Sequence, residues 1–525
     1  MRSLALLAVL TLCLGARAQE PAECVDPFIG TTNFGTANPG AVTPHGMMSV
    51  VPFNVMGSEE NVYDKDARWW STPYEYHNKF FTGFAHGALS GVGCPELGAL
   101  LTMATTGPLT VDYREYGTSY RDEKASPGYY SVFLDKYGVL AEVTATARTS
   151  VERYTFPGGE GHILLNLGEG LTNESGAMVR RVSATEIEGT KLLGTFCYNA
   201  QKVFPVYFVL RVSKTPSAGG YWKKQRKMTG VEAEWTPDNG RYKLYTEYGR
   251  ELSGDDVGYW FSFDGLAAGE QVEVRMGISY VSTENARKNL DAEQAADAPF
   301  DAIREQARKG WNEALGRIRV EGGTEEQQRV FYTALYHALL HPNLVSDVNG
   351  EYPDLTDGQR AGSFTRDIRV KTRTLPRDAA GRVVHHMYNS DAFWLTQWNL
   401  NVLWGLGWPE MPDEMSASLI RYADNGGLIP RGPCAGGYTY IMSGCPATPL
   451  IVSAYNKGLM RKCDPMHAFR TMQRNHMPGG MQGIGEFYLE HGYQPKNAGM
   501  TIESNFQDWA LAQMAVRLGL EDEAA

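Results

Sequence analysis

At 525 residues the chain is longer than one hydrophobic core serves, because single cores stop growing near about 250 to 300 residues, so two or more domains are expected. A hydrophobic share of 43% with 21% charged residues is that of a globular protein, and 11% aromatics, with 28 Tyr and 11 Trp, suits carbohydrate stacking and a large β core equally. The 49 basic and 60 acidic residues give a net charge of −11 without long runs of one sign, which leaves no phosphate-binding footprint and argues against nucleic acid as a partner.

The sequence opens with Met1 and Arg2, an apolar run from Leu4 to Leu14, and Ala16-Arg17-Ala18 before Gln19. That pattern is a signal peptide over residues 1–18 with an A-x-A-like cleavage site, so the mature protein is expected to be exported to the periplasm, the cell surface or the medium. The run is about half the roughly 20 residues a spanning helix needs, and no later stretch supplies 18 continuous apolar residues, so no transmembrane segment is expected. Beyond Cys13, the cysteines Cys24, Cys94, Cys197, Cys434, Cys445 and Cys463 form no C-x-x-C pair, which argues against a zinc site. Buried free thiols with one bridge at most are expected.

From Cys24 to about Tyr280 the pattern is of short strands bounded by turns. Tyr129 to Leu134, the turn Asp135-Lys136-Tyr137-Gly138, and the strand from Val139 onward predict a hairpin. The latter strand alternates, with Val143, Ala145, Ala147, Thr149 and Val151 on one face and Glu142, Thr144, Arg148, Ser150 and Glu152 on the other. His162 to Leu167, Phe204 to Val212 and Val272 to Val281 read as further strands. Many strands without intervening helices predict an N-terminal β-sandwich, placed at residues 22–285.

Near Ala298 the pattern turns helical. Phe300 to Arg317 predicts a helix within a linker at 286–322, and Thr324-Glu325-Glu326-Gln327 is a capping box that opens a helical domain at 323–525. Helices are predicted at Asp391 to Trp404, Pro449 to Lys457, Met466 to Arg474 and Phe506 to Leu518. A helical barrel is the natural closure of such pairs.

Three stretches are dense in residues suited to sugar chemistry. The first runs from Trp69 to Tyr76 and on through the Gly-rich Gly83 to Cys94, where aromatic faces and backbone N–H groups suit a sugar ring or plain core packing. The second is Asn389 to Asn399, where Asp391 at an apparent helix start is either an N-cap or a carboxylate kept ionised to grip sugar hydroxyls. The third is Thr501 to Trp509. Ile502, Phe506, Ala510, Met514 and Leu518 form an i, i+4 stripe expected to be buried. Glu503 stands beside it, at or just before the helix start. Ser504 and Gln507 fit a second capping box, which would make Glu503 a flanking charge with a lowered pKa. A general acid needs desolvation by neighbours such as Phe506 and Trp509 to raise it.

Val25-Asp26-Pro27-Phe28-Ile29-Gly30, Asn38-Pro39-Gly40-Ala41 and Pro44-His45-Gly46-Met47 resemble the opening signature of glycoside hydrolase family 92. The likeness continues through Gly83 to Cys94, Ser126 to Phe156, Phe331 to His337, Gly427 to Arg431 and Asp508 to Met514, so it spans essentially the whole mature sequence. It implies a β-sandwich on an (α/α)6 barrel and exo-acting, inverting, Ca²⁺-dependent α-mannosidase activity on mannose-containing glycans. By position it implies that Glu503 is the general acid, that Asp391 grips substrate, and that His86, the first histidine of the Gly-rich loop, is a substrate-binding residue.

Departures from the family pattern gather around the expected sugar pocket. Ser390 and Trp394 flank Asp391 where Trp and Arg are usual, Ala88 replaces a second His, Arg431 is followed by Gly432 and Pro433, and Gly499 replaces a Ser before the acid. Trp394 and Arg431 are therefore expected to line a modified substrate site. The family's general base and most of its calcium ligands come from well beyond the acid, whereas this sequence ends at Ala525, 22 positions after Glu503. The metal ligands are accordingly expected mainly beyond Ala525. The barrel is expected to be incomplete and the sequence truncated at its C-terminal end, with the base missing and the fragment inactive. A glycan-binding relative without turnover, and a hydrolase for another α-linked sugar, remain the alternatives.

Overall fold

Four consecutive strands, Tyr120–Ser126, Tyr129–Leu134, Val139–Ala145 and Thr149–Thr155, form an antiparallel meander, with the predicted hairpin turn at Asp135 to Gly138. The computed structural model in which they are seen describes residues 19–32, 35–56, 71–93, 97–171, 174–194, 203–226, 240–246, 249–356, 370–390 and 393–524. The signal-peptide segment, Trp69, Trp70, Cys94, Cys197, Asp391 and Ala525 lie outside the described residues.

The expected continuous alternating strand across Val143 to Val151 is instead two strands that turn at residues 146–148, where the Thr146 N–H donates to the Thr149 carbonyl. Its polar face is not solvated either. Glu142 is buried against two guanidinium nitrogens of Arg153 and the Tyr129 hydroxyl. Glu152 is fully buried. Alternation of residue type did not mark a wet face here because the acidic groups meet their own donors inside.

The meander belongs to a nine-stranded antiparallel sheet whose other members include Glu186–Gly194, Val203–Val212 and Gln271–Ser279. Facing it is an eight-stranded sheet that includes Ser49–Phe53, Gly83–His86, Leu101–Thr106, Gly159–Asn166 and Val257–Leu266. Phe84, Met103 and Ile163 from one sheet meet Tyr130, Val143 and Met276 from the other in a single apolar core. These residues form the sandwich expected from the short, turn-bounded strands.

Two helices, Thr283–Glu293 and Phe300–Leu315, lead out of the sandwich. The first carries Asn285 and Asn289, and their amides together with the Ser279 hydroxyl donate to the buried carboxylate of Asp347 at 2.7 to 2.8 Å. The second buries Phe300 and Ile303 against Tyr129 and Val151, and seats Trp311 in the core of the helical region. Thr324 and Gln327 close the predicted capping box at the start of Glu325–Ala338. Helices Glu410–Gly426, Ala447–Asn456, Pro465–Asn475 and Ala498–Arg517 then share a second core built on Trp404, Met415, Leu419, Ile451, Met472 and Met514. Cys24, Cys445 and Cys463 are free thiols. No described helix is long and apolar enough to cross a membrane.

Burial pushes the Asp347 carboxyl up to about 6 against the lowering effect of Asn289, Ser279 and Asn285. In the unfolded state it stays near about 3.9. The folded state therefore holds this proton more tightly, so the group's contribution to stability is present at low pH and is lost as pH rises through about 6. Melting curves of the wild type and Asp347→Asn, taken from about pH 4 to 8, should show the wild type losing stability relative to the variant over that interval. A difference that does not change with pH would contradict the buried titration.

Candidate active site

Helix Ala498–Arg517 begins about two turns before the Phe506 start that the sequence predicted. Asn497 caps it through a bond from the Met500 N–H, 3.2 Å long, so Glu503 sits inside the helix and Ser504 with Gln507 form no second capping box. The expected buried stripe is also corrected. Ala510 and Met514 are buried, but Ile502 is 71% exposed, while the polar Ser504 and Gln507 are fully buried. At 100° per residue, Glu503 lies on the boundary between the buried face of Ser504 and Gln507 and a more open face of Ile502, Phe506 and Trp509. Beside that open face Trp398 stacks on Phe506, with ring centroids 4.9 Å apart and planes 22° apart.

Both carboxylate oxygens of Glu503 have donors. Ser443 Oγ donates to Oε2 at 2.9 Å, and Gln507 Nε2 donates to Oε1 at 3.2 Å. Ser443 sits in the segment that follows strand Gly437–Thr439, and Arg431 holds that segment in place. The Arg431 guanidinium donates to the carbonyls of Met442 at 2.7 Å, Gly444 at 2.9 Å, Tyr440 at 3.3 Å and Met481 at 2.6 Å. Its charge also acts on Glu503. Gly444 has φ +69°, and a Cβ there would meet Gln507 Oε1 at 2.5 Å, so the turn requires glycine.

Asp508 follows Gln507 and is held by His476, Tyr488 and Gln482. Burial works against its ionisation, but these hydrogen bonds and the His476 charge outweigh it and hold the carboxyl below the usual carboxylate range. It is a structural acceptor. Glu503, on the rim of the open face, is the carboxyl placed to meet an incoming ligand.

The other expected site residues fall in different places. Arg431 is brought beside Glu503. Trp394 is half-buried in the segment leading to the irregular helical stretch Thr396–Leu400, which replaces the first part of the helix predicted over Asp391 to Trp404, and helix Asn401–Gly407 follows. Asp391 lies outside the described residues. His86 is on a strand rather than in a loop, inside the sandwich. Its Nε2 is 2.6 Å from Glu152 Oε1 and its Nδ1 is 2.5 Å from the Leu100 carbonyl. Thr102 and Tyr154 donate to the other oxygen of Glu152. A carbonyl only accepts, so Nδ1 donates, and the proton shared by His86 Nε2 and Glu152 ties the two sheets together. Sequence reasoning missed Ser443, for which no motif exists, and assigned Gln507 to a cap rather than to Glu503.

Among known proteins, the N-terminal domain of glycosyl hydrolase family 92 matches residues 24–279 and the catalytic domain of that family matches residues 285–525. The chain belongs to glycosyl hydrolase family 92. Its fold is that of the family GH92 alpha-mannosidase BT3965 from Bacteroides thetaiotaomicron, with a TM-score of 0.80 and 24% identity over 96% of this chain and 64% of that one. A second structure of BT3965, in complex with mannoimidazole, gives a TM-score of 0.78 at 24% identity, over 96% of this chain and 62% of that one. The inverting mannosidase BT2199 of the same organism superimposes with a TM-score of 0.74 at 23% identity, over 96% and 63%. An uncharacterized secreted glycosidase of Arthroderma benhamiae is 26% identical over 67% of this chain and 45% of its own length. The chain thus spans less than two thirds of the length of these relatives. Among the described residues no group of three or more His, Cys, Asp and Glu could hold a metal ion.

Removing one partner of the buried His86–Glu152 pair leaves an uncompensated group between the sheets, a loss on the order of 3 to 5 kcal/mol. His86→Ala should therefore lower the denaturant midpoint strongly. A variant as stable as the wild type would mean that the pair does not support the fold.

Proposed function

We propose that the protein is an exo-acting glycoside hydrolase that releases terminal α-linked mannose with inversion, Glu503 protonating the departing glycosidic oxygen. The observation that carries this reading is the placement of Glu503 in the family's catalytic domain, on the edge between a buried polar face and an open aromatic face, with both oxygens oriented by Ser443 and Gln507. A proton donor must be fixed in orientation yet reachable, and this position meets both requirements. Trp398 and Phe506 offer an aromatic surface of the kind that sugar rings stack upon. Solved family members named as alpha-mannosidases, one of them bound to mannoimidazole and another called inverting, support the sugar and the stereochemistry. The helices from Glu325 onward are read as part of an (α/α)6 barrel. The relative named as secreted supports export.

In this mechanism Glu503, protonated on one carboxyl oxygen, delivers that proton as the C–O bond breaks, while a second carboxyl roughly 6.5 to 9.5 Å away activates water on the opposite face. Asp508 is tied to His476, Gln482 and Tyr488 and lies on the same helix as Glu503, so it is read as a support of the site rather than as the second carboxyl. Calcium assistance enters from family membership alone. No group of three or more His, Cys, Asp and Glu among the described residues could hold a metal ion.

In the full-length protein, Glu503→Gln should lower kcat on an α-mannoside with a poor leaving group by about 10² to 10⁴-fold while KM changes little. An unchanged rate would refute the acid. A panel of aryl α-glycosides, assayed with and without chelator, should show release from the mannoside alone and loss of activity on chelation that added calcium restores. Release of another sugar, or indifference to chelator, would correct the corresponding part of the proposal.

A further inference from the structure

The orientation of two buried amides next to Glu503 can be fixed by elimination. The backbone N–H of Cys445 can only donate, and it donates to Gln507, so the oxygen of that amide faces Cys445. Gln507 Nε2 therefore faces the other way, where it reaches Glu503 Oε1 at 3.2 Å and Gln397 Oε1 at 3.1 Å. Gln397 must then present its oxygen to Gln507, since the reverse orientation would set two NH₂ groups against each other. Its own Nε2 is left over. That nitrogen has no partner among the described residues, although Gln397 is only 3% exposed.

A buried amide nitrogen without an acceptor is disfavoured unless something else supplies the acceptor. Three residues earlier, the indole Nε1 of Trp394 is in the same condition. Two donors without protein acceptors thus lie on the segment that packs against the helix of Glu503. One of them is a single amide removed from the carboxylate. Sugars supply such acceptors in their hydroxyl and ring oxygens, and the exposed Trp398 next to Gln397 adds the apolar surface they stack upon.

We propose that Gln397 is a specificity-determining residue of this site, its Nε2 donating to an oxygen of the sugar held against Glu503. Gln507 is the positioning residue that turns Gln397 toward that sugar while orienting the acid. The proposal rests on the reading of Glu503 as the catalytic acid. It also explains how one segment both supports the acid and reads the sugar, because the Gln507 amide is shared between them.

The test uses the full-length enzyme, 4-nitrophenyl α-D-mannopyranoside as the probe, and the variants Gln397→Met, Gln397→Asn and Glu503→Gln. Methionine keeps the volume and removes the donor together with the oxygen that accepts from Gln507, and asparagine keeps the amide but withdraws it. Each Gln397 variant should raise KM about tenfold or more with a smaller effect on kcat and an unshifted pH profile, and melt close to the wild type. A KM within about twofold of wild type in a folded variant would overturn the assignment. If the Met variant does not fold, the Asn variant decides by the same KM criterion. If Glu503→Gln abolishes turnover while both Gln397 variants keep the wild-type KM, the acid stands and Gln397 alone is wrong. If Glu503→Gln leaves turnover intact, the acid reading fails and this proposal falls with it.

Discussion

A carboxylate removed from water must be met by donors, and that constraint organises this molecule from one end to the other. Glu152 is met by His86, Thr102 and Tyr154 between the two sheets. Asp347 is met by Ser279, Asn285 and Asn289 where the sandwich gives way to the helical region. Asp508 is met by His476, Gln482 and Tyr488 beneath the site. Glu503 receives only two donors and lies on a rim rather than in a core. Unlike Glu152 and Asp347 it keeps part of its surface open.

Part of this was legible in the sequence because it depends on local rules. The turn at Asp135 to Gly138 and the capping box at Thr324 are each set by a few neighbouring residues and were found where expected, whereas the change from strands to helices comes at Thr283, ahead of the Ala298 read from the pattern. The alternation from Val143 to Val151 was read as one strand, but the chain turns back at 146–148 and buries Glu142 and Glu152. Glu142 meets Tyr129 and Arg153 across neighbouring strands, and Glu152 meets His86 and Thr102 on the opposite sheet, pairings that depend on how the strands are arranged. The same reason accounts for Ile502. Its spacing matched the apolar stripe, but the helix turns the fully buried Ser504 and Gln507 inward and leaves Ile502 outside.

The site shows the same division. Glu503 was legible through family motifs, whereas Ser443 and Gln397 reach it only through tertiary contacts across 60 and 110 positions of sequence, the second by way of Gln507. Gln507 was seen and misread, because a helix-start rule applied to Ser504 and Gln507 gave a plausible local use for a residue whose actual partners lie on two other segments. Arg431 was expected to face the sugar. Its guanidinium instead gathers four backbone carbonyls and so fixes the segment that carries Ser443.

These contacts make the orientation of the acid a collective property. Arg431 fixes the Tyr440 to Gly444 segment, that segment places Ser443 on one oxygen of Glu503, and the Cys445 N–H sets the amide of Gln507 against the other. Gly444 admits the close approach of Gln507 because it has no side chain to obstruct it. A general acid works when its proton is aimed and its conjugate base tolerated, and both follow from these neighbours rather than from the glutamate itself. Changes in Arg431 or Gly444 therefore act on the same proton as changes in Glu503, through the geometry of the segment between them.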